Sequence, residues 1–203
     1  MRTLILCLLL TLSSAQLFAQ KTFTEGKHYE VVADKKTEKP TVTEFFSLYC
    51  GHCFQFEALV DTVAASLKAG TKFEKSHVNY LPRNNEATQF GIVKAFIAMQ
   101  DLGIQKELTA QFFAAIHLKG IEIDSEDDIK QIFLANDISE EKFQKVYTDP
   151  KLIKRAEAMA KSWEEKKVNN VPTLVVNGMY KIDMASVRSI EELVALTNFL
   201  LEK

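Results

Sequence analysis

The sequence has no run of about 18 or more apolar residues, so no segment is expected to cross a bilayer as a helix. It has no excess of basic charge: 25 Lys and Arg stand against 27 Asp and Glu, for a net charge of −2. A protein whose main partner is nucleic acid would carry a basic face, so that class is not expected. Cysteine is scarce, three residues in 203, with a single C-x-x-C spacing. Zinc asks for about four ligands. One C-x-x-C and three further histidines, His28, His77 and His117, at no paired spacing do not supply them. A c-type haem site needs histidine directly after the second cysteine, where this chain has Phe54. No metal and no cofactor is therefore expected.

What remains is ordinary globular composition, 26% charged and 47% hydrophobic, at a length that suits one domain or one domain with a sizeable insertion. A core large enough to fold alone follows from that size. Residues 1–19 read as a secretory signal peptide rather than a buried first strand. Arg2 is the charged start, Leu4 to Leu12 the apolar block, and Ser13, Ser14, Ala15 and Ala19 the small residues before cleavage. Cleavage after Ala19 is favoured, with Ala15 a close second. It removes Arg2 and Cys7, leaving 25 − 1 = 24 basic residues against 27 acidic, a net of −3, and only Cys50 and Cys53 as thiols. Export places the chain in an oxidising compartment. There, a lone spaced pair at a helix start favours redox chemistry over stapling.

The stretch Glu44-Phe45-Phe46-Ser47-Leu48-Tyr49-Cys50-Gly51-His52-Cys53 reads as a buried strand running into a helix. Phe56, Leu59, Val60, Val63 and Leu67 continue at helical spacing, and Lys68-Ala69-Gly70 is the expected stop. Cys50 then lies at the helix N-terminus, where unpaired N–H groups and the helix dipole favour a thiolate. His52 adds a positive charge or a hydrogen bond to the same sulfur. Cys53, one turn on, can attack Cys50 once Cys50 is joined to a partner. A permanent structural disulfide is the bland alternative, but a loop this short removes little chain entropy.

Residues 20–40 form a polar arm with a short edge strand at Glu30-Val31-Val32. The central strand is expected from Thr41 to Leu48 and a second from Lys72 to Leu81, stopped by Pro82. Strand, helix, strand suggests a right-handed unit with parallel strands. Glu44 is either exposed on an edge strand or, in a central strand, buried beneath the cysteines with a raised pKa and able to move a proton. Lys75 pairs with Glu44 if the two strands are neighbours, and is otherwise solvated.

Residues 83–149 change to helical spacing: Phe90, Val93, Ile97 and Leu102; Leu108, Phe112, Ala115 and Leu118; Ile129, Ile132 and Phe133; Phe143, Val146 and Tyr147. Three or four short helices are expected there, with the Phe stripe as core rather than a cofactor box. Ser125-x-x-Asp128 marks one helix start. Asp149-Pro150 opens the next helix, which runs to about Lys167. Val171-Pro172 leads a strand; its proline is either a trans edge residue or a cis residue forming a tight turn. Asn177-Gly178 signals a hairpin, and Ser189-x-x-Glu192 caps a last helix. The division is thus 1–19 signal peptide, 20–82 and 150–203 the two parts of one α/β domain, and 83–149 a helical insertion.

The order of elements is that of a thioredoxin-like fold with an inserted α-helical subdomain. The sequence resembles the DsbA family of exported bacterial thiol:disulfide interchange proteins along its whole mature length. The matching residues are Gly26-Lys27-x-Tyr29, Glu44-Phe45-Phe46-Ser47, Cys50-Gly51-His52-Cys53, Phe54-Gln55-Phe56-Glu57, His77-Val78-Asn79, Val171-Pro172 and Val176-Asn177-Gly178-x-Tyr180. The resemblance implies that Cys50 is the nucleophile and Cys53 the resolving cysteine. It implies that Glu44 and Lys75 are the family's buried acid–base pair, and that Val171-Pro172 is the cis-proline loop that holds extended substrate. The family's commonest dipeptide between the cysteines is Pro-His. Here it is Gly51-His52, as in protein disulfide isomerase, which keeps the histidine and alters the rigidity of the turn. The implied activity is oxidation of reduced exported polypeptides by the Cys50–Cys53 disulfide, with a membrane oxidase of the DsbB type restoring it. A monomer in the periplasm is the expected form. An isomerase or reductase is the near rival, though the arm before Cys50 is too short for the separate dimerisation domain that isomerases of this compartment tend to carry. A peptide-binding module on the same scaffold is the rival from another class.

Overall fold

The structure, a computed structural model, describes residues 22–83 and 85–203. The expected signal peptide, its two cleavage points and Cys7 lie outside the described residues, as do residues 20, 21 and 84.

Five strands form one mixed sheet. They are β1 (Tyr29–Val31), β2 (Thr41–Phe46), β3 (Lys72–His77), β4 (Thr173–Val176) and β5 (Tyr180–Ile182), in the order β1-β5-β4-β2-β3. Only β2 and β3 are parallel; the other pairs are antiparallel. α1 (Gly51–Ala65) connects the parallel pair, as a crossover between parallel neighbours must. Val42 on β2 packs with Phe56, Val60 and Val63 of α1 and with Leu193, Leu196 and Leu200 of α7 (Ile190–Glu202). Phe45 and Val175 belong to a second cluster, against Val168 and Trp163 of the chain around the end of α6 (Pro150–Glu165). The alternation along β2 therefore sends successive side chains to opposite layers, and β2 is buried on both.

Four helices stand between β3 and α6: α2 (Glu86–Asp101), α3 (Gln105–Phe113), α4 (Glu126–Leu134) and α5 (Glu140–Tyr147). Their Phe residues are core: Phe96, Phe112, Phe113, Phe133 and Phe143 are all buried in one cluster with Phe46 and Leu48. The cap signals act as expected. Ser125 and Ser189 each accept from the N–H three residues on, and Asp149 accepts from Lys151 N–H with Pro150 in the first turn; Ser139, not among the expected caps, caps α5 in the same way. Asn177 and Gly178 carry φ of 51 and 61, and Met179 N–H donates to Val176 O at 3.0 Å, the two-residue turn whose mirror-image backbone matches strand twist.

Several details differ from the sequence expectation, among them β2, which ends at Phe46 rather than Leu48. α1 stops at Ala65, before Lys68-Ala69-Gly70: Ser66 is its C-cap, still bonded to Thr62 O by N–H and hydroxyl, and the next N–H, of Leu67, tightens onto Ala64 O three residues back. Gly70, at φ +83, serves the separate turn into β3. β3 ends at His77 rather than Leu81, and a second cis proline bond follows at Leu81–Pro82. Leu118, expected in the buried stripe, is 70% exposed. The chain passes from α3 into a π-helical turn, Ala114–Leu118, where Lys119 N–H bonds to Ala114 O five residues back. The wider turn breaks the 3.6-residue spacing on which the expectation rested.

Candidate active site

Cys50 is the N-cap of α1, with φ −92 and ψ 115, and its Sγ accepts the Cys53 N–H at 3.3 Å. Both thiols are free. Cys50 is half-buried and its S–H donates to the Val171 carbonyl at 3.3 Å. Its pKa is lowered from 9.0 to about 6. The largest cause is the hydrogen bond from the Cys53 thiol; the N–H groups of Cys53 and His52 come next among the lowering causes, and the His52 charge last. Cys53 lies fully buried one turn deeper, and burial pushes its thiol well up. The two sulfurs are thus driven apart, Cys50 toward the anion chiefly by the hydrogen bond it accepts, Cys53 toward the thiol first by burial and then by that same hydrogen bond.

Gly51 and His52 are exposed in the first turn of α1. His52 contributes mainly its backbone N–H to the Cys50 sulfur, a smaller electrostatic part than its position in the motif suggested. The Val171–Pro172 peptide is cis, and from the loop before β4 the Val171 carbonyl stands against Cys50, 121 positions away in sequence.

Glu44 and Lys75 face each other directly across the parallel pair β2–β3. Glu44 is fully buried; its Oε2 lies 3.1 Å from Lys75 Nζ, an ion pair rather than a well-directed hydrogen bond. Burial raises the Glu44 pKa from 4.5 to about 7, against the lowering pull of Lys75. The sequence reading missed the third member. Glu57, one turn beyond Cys53 on α1, also pairs with Lys75 and is 25% exposed, so it links the buried pair to the surface. The signal was available as an acid four residues after Cys53 on the same helix. Lys75 also sits 4.3 Å from the centre of the Phe46 ring.

Two histidines set aside as metal ligands also meet here. His77 is fully buried; its Nδ1–H donates to Val78 O at 2.6 Å and its Nε2 accepts the Leu48 N–H at 3.0 Å. Desolvation holds its pKa down at about 3, so the ring stays neutral. His117 donates from Nε2 to the Leu48 carbonyl at 2.8 Å. Among the described residues no group of three or more His, Cys, Asp or Glu is arranged to hold a metal.

A pair of unlike thiols at a helix start, beside the Val171 carbonyl of a cis Val–Pro bond and on a five-stranded mixed sheet, defines a dithiol–disulfide protein of the thioredoxin class. The comparisons with known proteins agree. The model of the DSBA-like thioredoxin domain matches residues 41–195. The thiol:disulfide interchange protein DsbA of Pectobacterium carotovorum is 31% identical over 164 residues, covering 79% of this chain and 76% of that one. That of Buchnera aphidicola is 29% identical and covers 98% and 96%. Among solved structures, DsbA of Klebsiella pneumoniae has a TM-score of 0.78 at 27% identity, covering 90% of this chain and 100% of that one. DsbA of Proteus mirabilis, in a complex with a non-covalently bound peptide PWATCDS, has a TM-score of 0.77 at 25% identity, covering the same 90% and 100%. The chain belongs to the DSBA-like thioredoxin family, and it is a thiol:disulfide oxidoreductase.

Proposed function

We propose that the chain donates its Cys50–Cys53 disulfide to reduced polypeptides newly exported to the periplasm. A substrate thiolate attacks Cys50 Sγ, the Cys50–Cys53 bond breaks, and Cys53 leaves as a thiolate that takes up a proton. A second substrate thiolate then attacks the substrate sulfur of the mixed disulfide and expels Cys50 as a thiolate. Two electrons pass from substrate to enzyme. The observation that carries this direction is the stabilised Cys50 thiolate: a good leaving group in the second step and a reason for the reduced form to be favoured. Glu44, beside Cys53 and half-ionised near neutrality, is suited to hand over and recover the proton that Cys53 needs.

Several features support an extended peptide as substrate. The Val171 carbonyl and Pro172 border Cys50. Leu118 and Ile121, exposed at 70% and 44%, sit on the segment tied to the turn before it. A relative is known with a cysteine-containing peptide bound. Re-oxidation falls to a membrane oxidase of the DsbB type, and the working form is a monomer. The arrangement of residues 20–82 and 150–203 as one unit, with 83–149 inserted, suits this role by building the wall beside Cys50. The test is the redox equilibrium of the protein with glutathione, together with disulfide transfer to a reduced dithiol peptide. An oxidant should be largely reduced at a glutathione ratio that leaves a reductase oxidised, and Cys50→Ser should abolish transfer. Cellular activity unchanged by Cys50→Ser would support a peptide-binding role instead.

A further inference from the structure

We infer that His117 is a positioning residue for Cys50, acting through the peptide groups of Leu48. Leu48 lies two residues before Cys50, and both of its backbone polar groups are taken by imidazoles from other elements. His77 Nε2, from β3, accepts its N–H at 3.0 Å, and His117 Nε2, from the π-helical turn, donates to its carbonyl at 2.8 Å. The next residues continue the clamp. Tyr49 N–H donates to Ser47 Oγ at 3.2 Å, the Tyr49 hydroxyl donates to Ile123 O, and Cys50 N–H donates to Ser47 O at 3.0 Å.

His117 also grips the far side of the motif. Its ring stacks on Phe54, the residue after Cys53, with centroids 5.3 Å apart and planes 8° apart, and it packs at 5.8 Å on Phe113. One side chain therefore contacts the chain on both sides of Cys50-Gly51-His52-Cys53. The wide turn that exposes Leu118 is what carries His117 to this place.

The chemistry requires that grip. The Cys50 sulfur accepts from the Cys53 N–H only in the N-cap conformation, and at 3.3 Å the bond tolerates little rotation. Pinning the peptide planes on either side of Leu48 sets the direction in which Tyr49 and Cys50 enter the helix. His77 holds one plane by accepting and His117 holds the other by donating. Without the His117 donor the Leu48 carbonyl turns toward water, the sulfur leaves the helix N-terminus, and the thiolate loses its stabilisation.

The test uses the full-length mature protein and follows Cys50 thiolate formation by ultraviolet absorbance against pH, with the glutathione equilibrium measured alongside. His117→Phe keeps an aromatic ring against Phe54 and removes the donor. It should reduce the thiolate fraction at the wild-type midpoint and the oxidising equilibrium constant together, by about threefold, the size of a lost helix-terminus interaction. His117→Gln, which keeps an N–H donor, should restore both. An unchanged midpoint in His117→Phe, or an equal shift in His117→Gln, overturns the inference. Should His117→Phe fail to fold, His117→Met takes its place. Nitrogen NMR of the wild-type imidazole is independent of any variant: a proton on Nδ1 and none on Nε2 overturns the inference as well. Since it rests on the protein being a thiol oxidant, the wild-type equilibrium is read first; a reducing wild type refutes the proposed direction, whereas the variant comparison bears only on His117.

Discussion

Changing pH across the Cys50 ionisation should separate the stabilities of the two redox forms. In the folded dithiol form the Cys50 pKa is lowered from 9.0 to about 6, mainly by the Cys53 thiol and N–H. This is about a thousandfold in the ionisation constant, or about 4 kcal/mol at ~1.4 kcal/mol per factor of ten. Cys50 is half-buried, so solvent screening leaves about half, ~2 kcal/mol. The folded thiol ionises more readily than the unfolded one. The stabilisation is therefore complete above the unfolded value near 9 and is lost as pH falls through about 6. Glu44 acts in the opposite sense. Its pKa is raised from 4.5 to about 7, so the stabilisation it gives exists at low pH and is lost as pH rises through about 7. Glu44 is present in both redox forms, and subtracting one stability from the other removes most of its effect. Urea unfolding of the dithiol and disulfide forms at pH 6, 7.5 and 9 provides the subtraction. The dithiol form should gain ~2 kcal/mol on the disulfide form across that range, equivalent to about 40 mV of potential. A difference that stays flat with pH, or that shifts toward the disulfide form, refutes the idea that a stabilised thiolate makes the disulfide oxidising.

Three further outcomes are expected. Glu44→Gln should slow the step in which the buried Cys53 attacks a mixed disulfide, by about tenfold or more near pH 7, seen as accumulation of the mixed species with a thiol peptide in quenched-flow samples. Lys75→Met removes the cation from a fully buried carboxylate and should destabilise the fold by about 3 kcal/mol or more at pH 8. The loss in urea melts should shrink at pH 5.5, where Glu44 takes a proton. Asn177→Ala removes the Oδ1 that accepts from Thr41 N–H at 3.2 Å and places alanine at φ 51. It should cost about 1–3 kcal/mol without altering the glutathione equilibrium.

The placement of the cysteines was legible because it depends on local rules: an apolar strand, a C-x-x-C, then helical spacing. The Glu44–Lys75 contact needed one further step, that β2 and β3 be neighbours, and the alternative of an exposed edge was resolved by β4 lying on the other side of β2. Glu57 was missed because its place depends on where α1 crosses β3, which no sequence period reports. His77 and His117 were missed for a related reason. Spacing in the sequence bears only on whether they could bind a metal, whereas each serves a peptide group of Leu48, a residue with no polar side chain to mark it. Leu118 was placed in the core on a 3.6-residue period, and one i to i+5 bond was enough to turn it outward.

The carbonyl that covers Cys50 comes from a residue 121 positions later. A chain made N-terminus first thus carries its sulfur pair well before the loop that closes over it. Until that loop arrives, the two sulfurs lack the carbonyl cover that the folded chain gives them.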